Sequence, residues 1–97
     1  MKTITIMVPA YREEKTLRAL KAALDKVWNN IPNYEWELLL INDGSPDNTL
    51  DVIKELRVAD SRVNYIDLSR NFGKENAMLA GFDYAKGDAV IIMDADL

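Results

Sequence analysis

Tyr34-Glu35-Trp36-Glu37-Leu38-Leu39-Leu40-Ile41 runs without a break into Asn42-Asp43-Gly44-Ser45-Pro46. Four consecutive aliphatic residues suit a strand covered on both faces, as the strands of parallel sheets are, and the turn residues behind them end it. The pattern repeats on either side. Upstream, Thr3 to Val8 is β-branched and apolar, and Pro9, which has no N–H to give a ladder, is expected to end that strand. Between the two runs, Leu17, Leu20, Leu24, Val27 and Trp28 recur at helical spacing as one apolar stripe, stopped by Asn29-Asn30-Ile31-Pro32-Asn33.

Downstream, Asp47 is placed to cap a helix that carries Leu50, Ile53 and Leu56 and ends near Asp60. Val63 to Leu68 reads as a short strand. After Ser69-Arg70-Asn71-Phe72-Gly73 a third helix extends to about Ala85, with Gly87 as its C′ residue. Its small residues, Ala77, Ala80, Gly81 and Ala85, suit a helix lying close on a sheet. A fourth strand, Ala89 to Met93, delivers the chain into Asp94-Ala95-Asp96-Leu97.

Strands joined by helical crossovers run parallel, so four strands alternating with three helices predict an α/β domain on a parallel sheet. Ninety-seven residues suffice for one such core and not for two. In open parallel sheets ligands gather beyond the carboxyl ends of the strands, near the point where strand order reverses. That rim receives Pro9-Ala10-Tyr11-Arg12-Glu13, Asn42-Asp43-Gly44-Ser45, Ser69 to Lys74, and Asp94-Ala95-Asp96.

Composition narrows what the rim can do. The chain has no Cys and no His, which removes thiol nucleophiles, imidazole bases and zinc clusters. A net charge of −4 has the wrong sign for neutralising many nucleic-acid phosphates. No apolar run approaches the roughly 20 residues needed to span a bilayer, and the N-terminus opens straight into a strand. A cytoplasmic or membrane-peripheral location is therefore expected.

Asp94 and Asp96, two apart at a strand end, leave on the same side if the extension persists and so converge on one cation. Oxygen ligation without His or Cys selects a hard ion, Mg²⁺ or Mn²⁺. Such an ion bridging carboxylates and a diphosphate turns repulsion into attraction. The alternative is an ordinary pair of turn aspartates. Asp43, after an aliphatic strand, presents its carboxylate to a base N–H or makes a plain Asx-turn; Tyr11 stacks on a base or packs in its loop; Glu13 bonds a ribose or favours a helix's first turn. Arg70 and Lys74 flank Gly73 ahead of a helix N-terminus, a place for phosphate oxygens or a solvated basic turn. The glycine patterns of dinucleotide-binding and P-loop folds are absent.

Four ordered blocks, Val8-Pro9-Ala10-Tyr11-Arg12-Glu13-Glu14, Ile41-Asn42-Asp43-Gly44-Ser45, Ser69-Arg70-Asn71-Phe72-Gly73-Lys74 with Gly87-Asp88, and Asp94-Ala95-Asp96-Leu97, resemble the N-terminal half of the family 2 glycosyltransferases with the GT-A fold. They are most similar to the polyprenyl-phosphate, dolichol-phosphate mannosyltransferase-like branch. The resemblance implies a Rossmann-like three-layer α/β/α fold with sheet order 3-2-1-4, and residues 1–97 as its nucleotide-sugar-binding half. It implies that Pro9, Ala10, Tyr11, Glu13, Asp43, Lys74 and Asp94 bind the nucleotide and that Asp94 and Asp96 hold the metal. The donor is then a nucleotide-diphosphate sugar, transferred with inversion, and a lipid-phosphate acceptor would place the parent enzyme at the cytoplasmic face of a membrane. Where many members carry Asp-Asp-Gly-Ser this chain has Asn42-Asp43-Gly44-Ser45. The acceptor-binding half and a complete catalytic set are expected to lie outside these residues, leaving them with little transferase activity alone, and the fourth strand is expected to be an edge through which the chain self-associates. A receiver-like phospho-accepting module and a ligand-free structural fragment are the alternatives; the first calls for an acidic pair after the first strand, where Pro9-Ala10-Tyr11 stands.

Overall fold

The computed structural model describes residues 1–96, so that Leu97, the last residue of the fourth block, lies outside the described residues. Seven elements follow in strict alternation: β1 (Thr3–Ala10), α1 (Leu17–Asn30), β2 (Glu35–Asn42), α2 (Thr49–Ala59), β3 (Val63–Asp67), α3 (Lys74–Tyr84) and β4 (Ala89–Ile92). The strands form one sheet in the order β3-β2-β1-β4. Every pair is parallel, with Ile6 level with Leu38 and Ile91, and Leu40 level with Tyr65.

Alternate residues of the two central strands serve opposite faces. Ile6, Val8, Leu38 and Leu40 pack with Leu17, Leu20, Leu24 and Trp28 of α1 and Val52 and Ile53 of α2. Met7, Leu39 and Ile41 meet α3 at Ala77 on the other face. The continuous run from Leu38 to Ile41 is thus buried on both sides, which is why it shows no polar alternation. The small residues of α3 allow a close approach: a Cβ at Gly81 would sit 2.2 Å from Met7 Sδ and 2.8 Å from Ile41 Cδ1.

Four local expectations change. Pro9 does not end the first strand, which continues to Ala10. N–H and C=O of one residue in a parallel strand point to the same neighbour, and Met7 O, accepting from Met93 N–H at 3.0 Å, faces β4. The missing N–H of Pro9, two residues on, therefore faces the side where β4 has already ended and forfeits no ladder bond. Asp47 is not the N-cap of α2; Asn48 is, and Asp47 Oδ1 instead accepts the Thr49 N–H (3.1 Å) and hydroxyl (2.6 Å). Gly87 is not a left-handed helix terminator, since α3 ends at Tyr84 with Ala85 as its cap. Its role is close packing: a Cβ there would lie 2.7 Å from the N and Oγ1 of Thr5. Val27 belongs to the helical stripe in sequence but is 43% exposed at its margin.

The segment around Gly87 is fastened to the sheet by a buried carboxylate. Glu37, 5% exposed, accepts from the Thr5 hydroxyl at 2.6 Å, the Asn64 amide at 2.8 Å and the Lys86 N–H at 3.1 Å. Gly87 N–H donates to Thr5 Oγ1, and Asp88 exchanges bonds with Thr3 through backbone and side chain. Together these bonds set the start of β4 against β1. A buried carboxylate is tolerated when its oxygens are satisfied in this way.

At the amino ends of the strands lies a second charged cluster. Lys21, 7% exposed, bonds Asp25 at 2.6 Å and Asp60 at 3.0 Å. Arg62 chelates Asp60 and lies over the Trp28 ring at 4.5 Å. The Arg62 hydrogen bonds, aided by Lys21, hold the Asp60 carboxyl far below the usual carboxylate range. A depressed pKa contributes stability above the unfolded-state value of about 4 that is lost as pH falls toward the folded-state value. Asp60→Asn is expected to cost about 1–3 kcal/mol at pH 7, because it leaves Lys21 buried with one partner fewer. Urea unfolding of both proteins should show the gap constant from pH 7 to about 5 and narrowing below about 4; a gap that widens on acidification would refute this assignment.

Candidate functional site

The carboxyl ends of the strands open into a cleft of about 430 Å³. It lies where strand order reverses: the chain steps from β1 through β2 to β3, then crosses back so that β4 flanks β1 on its other side. Pro9 and Ala10 are the last residues of β1, Tyr11 and Glu13 come from the loop after it, Asp43 directly follows β2, Lys74 starts α3, and Asp94 and Asp96 lie beyond β4. Each residue that the family resemblance assigns to nucleotide or metal is thus on the lining of one cleft. Arg12 and Arg70 are not among its lining; their guanidinium groups lie over the rings of Tyr11 (5.5 Å) and Phe72 (4.7 Å). Asn71, Gly73 and Ala95 line it without having been singled out.

Volume alone does not mark the site, since the charged cluster at the opposite end surrounds a depression of about 450 Å³. There, however, Lys21, Arg62, Asp25 and Asp60 satisfy one another. At the carboxyl end the acids outnumber the bases, with Glu13, Asp43, Asp94 and Asp96 facing Lys74.

Asp43 has a task the sequence did not reveal. It is 3% exposed, and its Oδ1 accepts the Phe72 N–H at 2.8 Å, tying the loop after β3 to the end of β2. Its other oxygen has no protein donor among the described residues. The loop comes so close here that a Cβ on Gly44, at φ +66°, would lie 2.2 Å from the backbone of Arg70 and Asn71. The first loop is held from the same side. Ser45 Oγ accepts the Arg12 N–H at 3.1 Å, and buried Thr49 accepts the Glu13 N–H at 3.0 Å, while its own hydroxyl is donated to Asp47. These bonds over-determine Arg12, a non-glycine residue at φ 57°. Backbone held in that region costs about 1–3 kcal/mol and tends to occur at ligand sites. On either side of this turn Tyr11 and Glu13 line the cleft, and the Glu13 carboxylate accepts from the Thr16 hydroxyl at 2.6 Å.

Beyond Ile92 the extended pairing ends. Ala95, 4% exposed, joins the core cluster that also holds Ile6 and Val8, and its neighbours Asp94 and Asp96 are left on the surface side lining the cleft. Burial of the residue between them, rather than a persisting strand, is what sends both carboxylates to the rim. The Lys74 ammonium donates to Asp94 Oδ1 at 2.5 Å, and that bond raises the lysine pKa above its ordinary value. Among the described residues no three His, Cys, Asp or Glu side chains gather into a metal-holding group. Two exposed carboxylates still suit a hard ion that keeps water or takes phosphate oxygens in its remaining positions.

Comparison with known proteins agrees with this geometry. The model for glycosyl transferase family 2 matches residues 5–97. CsbB of Bacillus subtilis, named as a glycosyltransferase, is 51% identical over 94 residues, covering 97% of this chain and 28% of its own length. The bactoprenol glucosyl transferase of Shigella phage SfV is 42% identical over 94 residues, 97% of this chain and 30% of its own. Among solved structures, residues 1–349 of TarS from S. aureus in complex with UDP-GlcNAc superpose with a TM-score of 0.77 at 26% identity, over 99% of this chain and 27% of that one. The chain spans less than a third of the length of these relatives. A receiver-like module is not favoured: the loop after β1 offers Tyr11 and Arg12 where its acidic pair would stand. The parallel 3-2-1-4 sheet, the four sequence blocks and the family model converge, and the chain belongs to glycosyltransferase family 2.

Proposed function

We propose that residues 1–97 are the donor-binding part of a glycosyltransferase that takes its sugar from a nucleotide diphosphate. The observation that carries this reading is the convergence of residues from four separate loops on one cleft at the strand-order reversal. Pro9, Ala10, Tyr11, Glu13 and Asp43 hold base and ribose, with the free oxygen of Asp43 accepting from the base; Lys74 and Asp94 lie on the phosphate side. Asp94 and Asp96 would hold Mg²⁺ or Mn²⁺, which when bound supplies charge neutralisation for the departing diphosphate.

The transfer forms a bond from an acceptor oxygen to the anomeric carbon as the bond to the diphosphate breaks, the electron pair leaving with the nucleotide. In-line attack inverts the configuration. The bactoprenol-acting relative supports a polyprenyl phosphate as acceptor. Its oxygen is already anionic near neutral pH, so attack needs no strong general base. Acceptor-binding groups are assigned to the part of the relatives this chain does not match, so these residues alone bind donor and transfer little. No helix among the described residues is long and apolar enough to cross a membrane; a lipid-phosphate acceptor would bring the enzyme to the cytoplasmic membrane face.

Isothermal titration with UDP, GDP, CDP and their sugars, with and without Mn²⁺, tests the reading. Metal-dependent binding to at least one of them is expected, and none at millimolar ligand would end the proposal. The exposed β4 edge, with Ile91 46% and Ile92 45% exposed, is proposed to pair with a second copy. Light scattering should then show concentration-dependent dimers, and a monomer at high concentration would refute the pairing.

A further inference from the structure

Among the described residues lining the cleft, Lys74 is the one cation, and it is spent on Asp94. Its position is unusual. Lys74 is the first residue of α3, at the end of a helix where a positive side chain is disfavoured by the dipole. The helix therefore does not account for it, and its ammonium reaches across the cleft to an acid 20 residues away in sequence. Arg12 and Arg70, the nearby alternatives, are stacked over aromatic rings instead. The pair is also open to solvent, with side-chain exposures of 59% and 62%. Ion pairs this exposed are weak and easily exchanged.

We propose that Lys74 is an exchangeable internal counter-ion that couples diphosphate binding to metal binding. This rests on the donor-site reading above. Paired as it is here, the ammonium neutralises Asp94 and so weakens the hold of Asp94 and Asp96 on a divalent cation. When a diphosphate enters, the ammonium passes to its more highly charged oxygens and Asp94 is released. Each ligand thus favours the other beyond their direct attraction, and the coupling is reciprocal. Lys74 acts on the metal through Asp94 and is a positioning residue.

The exposed pair limits the effect to about two- to fivefold. Mn²⁺ binding without nucleotide, followed by loss of the free-ion electron paramagnetic resonance signal at fixed pH and ionic strength, is the direct test. Lys74→Met and Lys74→Gln are expected to bind Mn²⁺ about two- to fivefold more tightly than the parent chain while binding UDP more weakly. Mn²⁺ should also raise the UDP affinity of these variants by a smaller factor than it does in the parent. Lys15→Met removes a cation beside Asp96 that makes no ion pair with Asp94 and controls for net charge. Tighter Mn²⁺ binding in the Lys74 variants than in Lys15→Met supports the exchange. Equal or weaker Mn²⁺ binding, with UDP still bound, overturns the exchange and leaves the donor site standing. Failure of every protein to bind either UDP or Mn²⁺ overturns the donor reading and the exchange with it.

Discussion

Gly44→Ala is expected to destabilise the protein by about 2–5 kcal/mol and to abolish nucleotide binding under conditions where the variant remains folded. Two costs combine. At φ +66° a side chain is strained by about 1–2 kcal/mol. The new methyl would also stand 2.2 Å from Arg70 C and Asn71 N, backbone atoms that cannot swing aside as a flexible side chain can. Overpacking against fixed atoms adds about 1–3 kcal/mol. Relief requires the loop after β3 to withdraw, which breaks the Phe72 N–H bond to Asp43 and moves Asn71, Gly73 and Lys74 out of the cleft. Gly73→Ala is the matched comparison. Gly73 also has positive φ, +92°, but a Cβ there meets nothing within 4 Å, so only the backbone term of about 1–3 kcal/mol applies. Urea unfolding of the three proteins decides the point. A Gly44 variant no less stable than the Gly73 variant would mean the close approach of the two loops is not what the glycine serves.

The second large effect concerns the carboxylates beyond β4. Asp94→Asn and Asp96→Asn are each expected to reduce Mn²⁺-dependent affinity for UDP at least tenfold, about 1.4 kcal/mol, with unfolding stability changed by less than about 0.5 kcal/mol. The asymmetry follows from placement: both side chains line the cleft and are exposed, while Ala95 between them supplies the packing. The two variants should differ without metal. Losing Asp96 leaves the Lys74 ion pair intact and metal-free UDP binding nearly unchanged. Losing the Asp94 charge releases Lys74 for the phosphates, so metal-free binding holds or strengthens. Titration of UDP into both variants with and without Mn²⁺ provides the check. An undiminished metal effect in either would remove that carboxylate from the proposed site.

The fold is legible in the sequence where one interaction dominates. Burial on both faces explains Leu38 to Ile41, the stripe from Leu17 to Trp28 marks the face of α1 on the sheet, and small residues at Ala77 and Gly81 signal how closely α3 lies. Local structure departs from the sequence pattern where a local preference meets a neighbour distant in the chain. Pro9 is a strand breaker only if a partner needs its N–H, and β4 stops too early to need it. Gly87 resembles a helix stop but serves the approach to Thr5, more than 80 residues away in sequence. Ser45 and Thr49 look like ordinary turn and helix-start residues, yet they hold the backbone of the β1 loop from the neighbouring connection after β2.

The candidate site divides the same way. Which residues reach the rim was determined by sequence, because a parallel sheet sends the loop after every strand to the same end and the blocks of chemistry all fall in those loops. What each group is free to do was decided by tertiary structure. One oxygen of Asp43 is committed to Phe72, Lys74 is committed to Asp94, and the two terminal carboxylates face the cleft because Ala95 is buried between them. Hydrogen-bond commitments and burial are pairwise properties of residues distant in the chain, and they come into being only when the strands are laid side by side.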